Sequence, residues 1–338
     1  MKIAPPVQLR TAIVKALEDK AEEYVRTALF QKLFDILDEK PPKNAGAELK
    51  NEEDKASNNL IVKAIREGMI YYDGRSFKAY KKFGVRLAKE FQKLGAVLRN
   101  GGYHLPRRLG DPTFELIWAE VAAQRTRAAN KLAMLNAALL AQTEAPSLDI
   151  RTEVENLVDS ISTSVNSSLG ISYEMDAYTR NRLVDEYVMD MEKYSKKLIR
   201  QANIELKTFV AAEVATVNLT EKALGQLISD RYGIAARHAR FIAHQESTMA
   251  RERINRVGAE KVGFRHYVWQ TVGDYRVRPE GGKKSYMGDN HRRLDGKVFS
   301  FDDPPIVDRI KGRKCNPGED FGCRCTARVI IDDEHYEI

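Results

Sequence analysis

The chain has 338 residues, 43% of them hydrophobic and 30% charged, with a formal net charge of +7. That is enough apolar material for at least one sizeable core, it excludes a disordered chain, and the length alone suggests two domains. No run of about 18 consecutive apolar residues occurs, and the opening MKIAPPVQLRTAIVKALEDK holds no apolar run of signal-peptide length, so a soluble protein made in the cytoplasm is expected.

The charge is uneven. Residues 231–330 hold 21 Lys and Arg against 12 Asp and Glu, a balance of +9, which leaves −2 for the remainder. Such a segment attracts phosphate backbones or an acidic partner; the bland alternative is a solvated, Arg-rich surface.

From Thr11 to Lys40, apolar residues recur as Ile13, Leu17, Ala21, Tyr24, Ala28, Leu33 and Ile36, the period of one helical face. Pro41-Pro42 ends it, and the polar stretch to Asn59 reads as a linker. Between residues 68 and 106, Asp73-Gly74 between β-prone residues predicts a two-residue type I′ hairpin, and Asn100-Gly101-Gly102 a second turn. A helix lies between them, with Phe83, Leu87, Phe91 and Leu94 on one face and Gly95 as its C′ residue.

From Asp111 to Gly263 the pattern is helical, opened by Asp111-Pro112 as cap and first turn, with breaks at Ala145-Pro146, Leu169-Gly170 and Gly233. Asn218 or Thr220 caps the last helix. Trp118, Met134, Tyr187 and Met191 read as packing residues and not as a ligand box.

After Gly263 short β-rich runs alternate with loops dense in Gly and Pro. The expected fold class is α+β: a mostly α-helical N-terminal and middle region, then a small, loop-rich C-terminal α+β domain. The expected segments are an N-terminal helix and polar linker (1–57), a hairpin-helix-hairpin unit (58–110), a helical region (111–233) and a C-terminal domain (234–338).

Loops of that length want a staple, and all three cysteines lie there, in CNPGEDFGCRC. An odd count and a reducing compartment argue against disulfides. Cys323 and Cys325, one residue apart, project from the same face of an extended strand, and the turn at Asn316-Pro317-Gly318 returns Cys315 towards them. Three soft ligands want a fourth, which makes His291 the candidate for a Cys₃His zinc site, with His266 and His335 behind it. The alternative is three small buried thiols around a tight turn, with His291 bonded to backbone.

The runs HYVWQTVGDYRVRP, NHRRLDGKVFSFDDPP and CNPGEDFGCRCTARV resemble the C-terminal signature of the phage Mu F-like minor head proteins, the phage head morphogenesis family. The matching positions are Trp269, Asp274, Arg278, His291, Leu294, Gly296, Pro317, Cys323, Arg324 and Cys325. Two departures stand out. PEGGKKSYMGDN lengthens the passage from Arg278 to His291, and Ala243-His244-Gln245-Glu246 replaces the family's usual Ala-Arg-Thr-Glu.

The resemblance implies a minor capsid protein present in few copies at the portal vertex, inside the virion once assembled. Its implied partners are the portal protein, packaged double-stranded DNA and scaffold or capsid proteins. Arg276, Arg278, Arg292 and Arg293 are the candidates for phosphate contact, with pairing to Asp274, Asp289 and Asp295 as the alternative. No catalytic residue is expected; the rival reading is a metal-dependent hydrolase or nuclease built on Asp274, His291 and Glu246, although no H-E-x-x-H or G-x-S-x-G occurs.

Overall fold

A computed structural model describes residues 2–38, 59–108, 110–142, 144–213, 220–273, 291–320 and 322–331. The fold is α+β, mostly helical, with small antiparallel sheets. It divides into two compact units, each assembled from separate pieces of chain: 1–25, 147–198 and 236–338 form one, and 26–146 with 199–235 the other.

Helix α1 (Thr11–Val25) belongs to the first unit. In the second unit, a π-helical turn at Arg26–Phe30 leads into α2 (Gln31–Asp38). Helix α3 (Leu60–Arg66) is capped by Asn59, whose side chain accepts from Ile61 N and Val62 N. Strands β1 (Ile70–Tyr72), β2 (Phe77–Ala79), β3 (Val97–Arg99) and β4 (Gly102–His104) form a sheet of order β1-β2-β4-β3, with α4 (Val85–Lys93) inserted between the hairpins. Phe77, Phe91 and Tyr103 pack with Ile61, Ile65 and Ile117. Phe91 and Tyr103 stack with centroids 4.7 Å apart. Helix α5 (Pro112–Ala141) starts as expected, Asp111 accepting from Thr113 N at 2.9 Å with Pro112 in the first turn.

The first hairpin lacks the expected type I′ turn, and the second, expected only as a turn, has it. Tyr72 pairs with Phe77, so the first loop has four residues, and Asp73 Oδ1 accepts from Arg75 N and Ser76 N. An Asp side chain that closes its own turn leaves no need for the type I′ backbone. Arg99 pairs with Gly102, and Asn100 and Gly101 have φ of 48° and 72°, so the type I′ loop is Asn100-Gly101.

Helix α6 (Arg151–Leu169) ends at Gly170 in the left-handed conformation. Helix α7 spans Ala177–Glu213 and α8 Glu221–Lys261. The break expected at Gly233 does not occur: α8 runs through it, because a single glycine costs a helix only about 1 kcal/mol, which packing overrides. Thr220 caps α8, its Oγ1 accepting from Ala223 N at 3.1 Å; Asn218 lies outside the described residues. Trp118, Tyr187 and Met191 pack as expected, whereas Met134 is exposed.

In the first unit, β5 (His266–Gln270) is the centre of a sheet of order β6-β5-β9, with β6 at Val298–Ser300 and β9 at Thr326–Val329. The N-terminus lies along the free side of β9: Ala4 N donates to Val329 O at 2.8 Å, and Ile331 N to Lys2 O at 3.0 Å. Strands β7 (Ile306–Asp308) and β8 (Arg313–Lys314) make a separate hairpin. Helix α8 approaches α6 closely at Gly258, where a Cβ would stand 2.6 Å from Val165 Cγ1.

Candidate metal centre

His291 is positioned by backbone. It begins a 3₁₀ turn, Arg292–Leu294, in which Leu294 N donates to His291 O at 3.1 Å. That turn is tied to β5, since Gly296 N donates to Trp269 O at 2.8 Å and Trp269 N to Lys297 O at 2.9 Å. Asp295 Oδ1 accepts from Thr271 N at 2.7 Å. The Leu-x-Gly and Trp positions of the sequence signature are thus one local structure, and it delivers the imidazole edge-on to the buried Trp269 ring, with centroids 5.5 Å apart.

The sulfurs come from the loop before β9. Cys323 N donates to Asp320 O at 2.8 Å, which closes a turn, and Cys325 N donates to Cys323 Sγ at 3.4 Å. His291 Nδ1 lies 3.4 Å from Cys323 Sγ and 3.7 Å from Cys325 Sγ. The three ligand atoms are all within 4.8 Å of one another, and the residues are only 3%, 4% and 3% exposed. A tetrahedral zinc with Zn–S near 2.3 Å and Zn–N near 2.0–2.1 Å has N···S edges of about 3.6 Å. Both measured N···S separations are close to that edge, so the residues present fit three corners of such a site.

The outer nitrogen of the ring stands at ion-pair distance from a carboxylate, outside hydrogen-bond geometry. His291 Nε2 is 3.3 Å from Asp320 Oδ2, and Asp320 Oδ1 accepts from Arg313 Nη1 at 2.9 Å. A carboxylate behind a ligating histidine fixes its ring orientation and raises its basicity. The two thiols are shifted in opposite directions. Cys323 is held well below the ordinary thiol range by a hydrogen bond from Cys325 and, against the penalty of burial, by His291; Cys325, the donor in that bond and itself buried, is pushed up.

Cys315, the expected third sulfur, is buried but is not a member of this group. Its N–H donates to Pro305 O at 3.4 Å beside the β7–β8 hairpin, and burial, with Asp320 and Glu319 nearby, pushes its thiol up to about 12. The described cluster is therefore one histidine with two cysteines. His266 sits in β5 and pairs in register with Ser300, away from the group. Asp274, Arg276, Arg278, Asp289 and His335 lie outside the described residues. Arg293 Nη2 donates to the Ile306 carbonyl, and Arg292 is exposed. Pro317 is buried in the turn before Gly318, and Arg324 between the two cysteines is half-buried.

Helix α8 grips the loop through residues to which sequence reasoning gave no role. Gln245 Oε1 accepts from Gly322 N at 2.9 Å while its Nε2 donates to Asp320 O at 3.3 Å. Glu252 Oε2 accepts from Ala327 N at 2.9 Å, and Asn255 Nδ2 donates to Ala327 O at 2.9 Å. Gln245 stands where the family pattern has Thr. A polar series at i, i+7 and i+10 among Ala243, Ala250 and Ala259 was the available signal: one helix face, buried yet polar, that must bond to something.

Residues 191–328, about two fifths of the chain, match the family model described as Phage Mu protein F like protein. An uncharacterized protein of Haemophilus influenzae (strain ATCC 51907 / DSM 11121 / KW20 / Rd) is 26% identical over 177 residues, 51% of this chain and 36% of that protein. The chain thus spans about a third of that relative's length. No solved structure matches. The matched segment runs from within α7 to β9 and contains His291, both clustered cysteines, Asp320 and the gripping face of α8. That segment is similar to the family described as Phage Mu protein F like protein, the same family that the signature residues resemble.

Proposed function

We propose that the chain is a minor capsid protein of a tailed phage or prophage, acting at the portal vertex in head assembly and in packaging or delivery of the genome. The observation that carries this reading is the convergence of the family-matched segment's signature residues. Trp269, His291, Cys323 and Cys325, spread over 57 positions of sequence, meet around one buried point. On this reading the protein resides in the virion, inside the capsid near the portal, after assembly in the host cytoplasm. Its partners are the portal protein, scaffold or capsid proteins and packaged double-stranded DNA, with the exposed Arg292 among the C-terminal phosphate contacts.

A zinc ion held by His291, Cys323 and Cys325 is part of the proposal. Soft sulfur and imidazole donors suit it, and when bound it supplies a rigid cross-link between the 3₁₀ turn and the strand-leading loop. A structural role is favoured over a hydrolytic one. The nearby carboxylates are committed, Asp320 to His291 and Arg313, and Glu252 to Arg251 and Ala327 N, so neither is free to activate a water. The ligand residues are also closed to solvent.

The test is co-purification of the full chain with its portal protein, combined with quantitative metal analysis of the purified chain. About one zinc per chain and retention on the portal ring are expected. A chain that neither binds portal nor enters assembled heads overturns the capsid reading, and a metal-free chain with unchanged unfolding overturns the zinc.

A further inference from the structure

The stretch Ile70–Arg108 holds ten Lys and Arg against two Asp and Glu, a balance of +8 in 39 residues. It lies entirely outside the family-matched segment, and it is a second concentration of positive charge beside the one at 231–330. The two differ in how the charge is used. In the C-terminal segment Arg240, Arg251, Arg253, Arg256, Arg265 and Arg313 each have a carboxylate within 4.0 Å. In Ile70–Arg108 the ion pair among the described residues is Lys93 with Glu90, at 2.7 Å. The remaining acid, Asp73, is occupied by its own turn.

The charges are displayed on a rigid support. Nine of the ten basic residues are exposed, while the sheet and α4 are fixed from behind by Phe77, Phe91 and Tyr103. On α4, Arg86, Lys89 and Lys93 follow at i, i+3 and i+7 and form a stripe turned away from the buried stripe of Leu87, Phe91 and Leu94. In the sheet, the register places Lys78 and Arg99 on the face opposite to Phe77 and Tyr103. Lys81 and Lys82 join the strand edge to the helix and are exposed.

We infer that this sheet-and-helix surface docks the phosphate backbone of duplex DNA. Phosphate contact is made by Lys and Arg side chains and needs no carboxylate counterpart, whereas the cores of protein interfaces are depleted in Lys. Val85 at the start of α4 and Val97 and Leu98 on the edge strand are exposed, but three such residues are too few to form such a core. Binding at this surface is sequence-tolerant, since nothing about it presents an element to a groove. The inference rests on the proposed reading of DNA as a partner but not on the portal or the zinc: a protein that ignores DNA sinks both DNA statements, whereas one that binds DNA through Arg292 and Arg293 alone sinks this inference and leaves the other standing.

The experiment is fluorescence anisotropy of the full chain with a labelled duplex across a salt series, for the wild type, for Lys81→Gln/Arg86→Gln/Lys89→Gln and for Arg292→Gln/Arg293→Gln. All five residues are on the surface or partly so, and matched thermal unfolding verifies folding. The triple variant is expected to weaken binding roughly tenfold or more at low salt and to flatten the log K against log salt slope by about 3. The double variant is expected to keep most of the affinity. Equal slopes for wild type and triple variant overturn the inference, as does loss confined to the double variant. A wild type that binds polyglutamate but no duplex overturns it too, in favour of an acidic protein partner.

Discussion

His291 faces sulfur with one ring nitrogen and a carboxylate with the other: Nδ1 is 3.4 Å from Cys323 Sγ and Nε2 is 3.3 Å from Asp320 Oδ2. Asp320 is in turn fixed by Arg313 at 2.9 Å. Removing its charge while keeping its shape tests the relay. Asp320→Asn is expected to lower zinc affinity by about 10–100-fold, the usual cost of losing such an outer partner, as read by competition with a chromogenic chelator. Arg313→Met, which leaves the carboxylate in place, is expected to cost less. Equal affinity in Asp320→Asn and wild type would remove Asp320 from the site.

Gly318 explains the Pro-Gly turn of the signature physically. Its φ is +80°, and a Cβ there would stand 2.4 Å from Glu252 Cγ. Gly318→Ala combines a left-handed backbone penalty with overpacking against the helix, and is expected to destabilise by about 2–4 kcal/mol. Urea unfolding followed by Trp fluorescence reads this directly, because Trp269 is buried in the same unit. A loss below about 1 kcal/mol would mean that the turn relaxes away from α8.

Much of this was legible in the sequence, and the parts that were not have a common cause. The pairing of Cys323 with Cys325 was legible from their spacing, but not for the expected reason: they lie in the loop before β9 and not in a strand, and the turn from Asp320 to Cys323 with the Cys325 N–H on Cys323 Sγ brings the sulfurs together. His291 was legible as the histidine of the neighbouring loop. Gln245 and Glu252 act on residues 75 positions away, so no window of sequence pairs them with the loop. Cys315 was expected in the cluster because a Pro-Gly turn reverses the chain, yet the β7–β8 hairpin draws its backbone to Pro305. The basic sheet surface was hidden by averaging: a window at 231–330 left a remainder near zero, in which the +8 of Ile70–Arg108 was cancelled by acidic helices elsewhere.

Glu246 is 6% exposed, and one of its oxygens, Oε2, has no hydrogen-bond partner. Burial, with Asp190 nearby, pushes its carboxyl from 4.5 up to about 7. The sign follows from proton counts. Between about pH 4.5 and about 7 the unfolded chain has released this proton and the folded chain still holds it, so folding stability falls as pH rises through that window and levels off above it. Glu246→Gln keeps the shape and removes the titration. It is expected to be near wild type at pH 4.5 and more stable by about 1–3 kcal/mol at pH 8, measured as the difference in urea unfolding between variant and wild type. A difference that does not change with pH would show that Glu246 ionises as freely in the folded chain as in the unfolded one.

The three cysteines should not behave alike. Cys323 and Cys325 each present a sulfur to His291 Nδ1, whereas Cys315 is buried outside the group with a protonated thiol. Cys323→Ser and Cys325→Ser each replace a soft donor by a weaker hard one, and each is expected to cut the zinc content of the purified chain by more than half and lower its unfolding midpoint. Cys315→Ala removes no ligand from the described set and is expected to leave zinc stoichiometry unchanged, with at most about 1–2 kcal/mol lost to the small cavity. The comparison separates metal binding from packing, because all three residues are buried and only the metal distinguishes them. Zinc lost equally from all three variants would bring Cys315 into the coordination sphere of the loaded protein and make the site four-coordinate. Zinc lost from none would reduce the cluster to a histidine buried against two thiols.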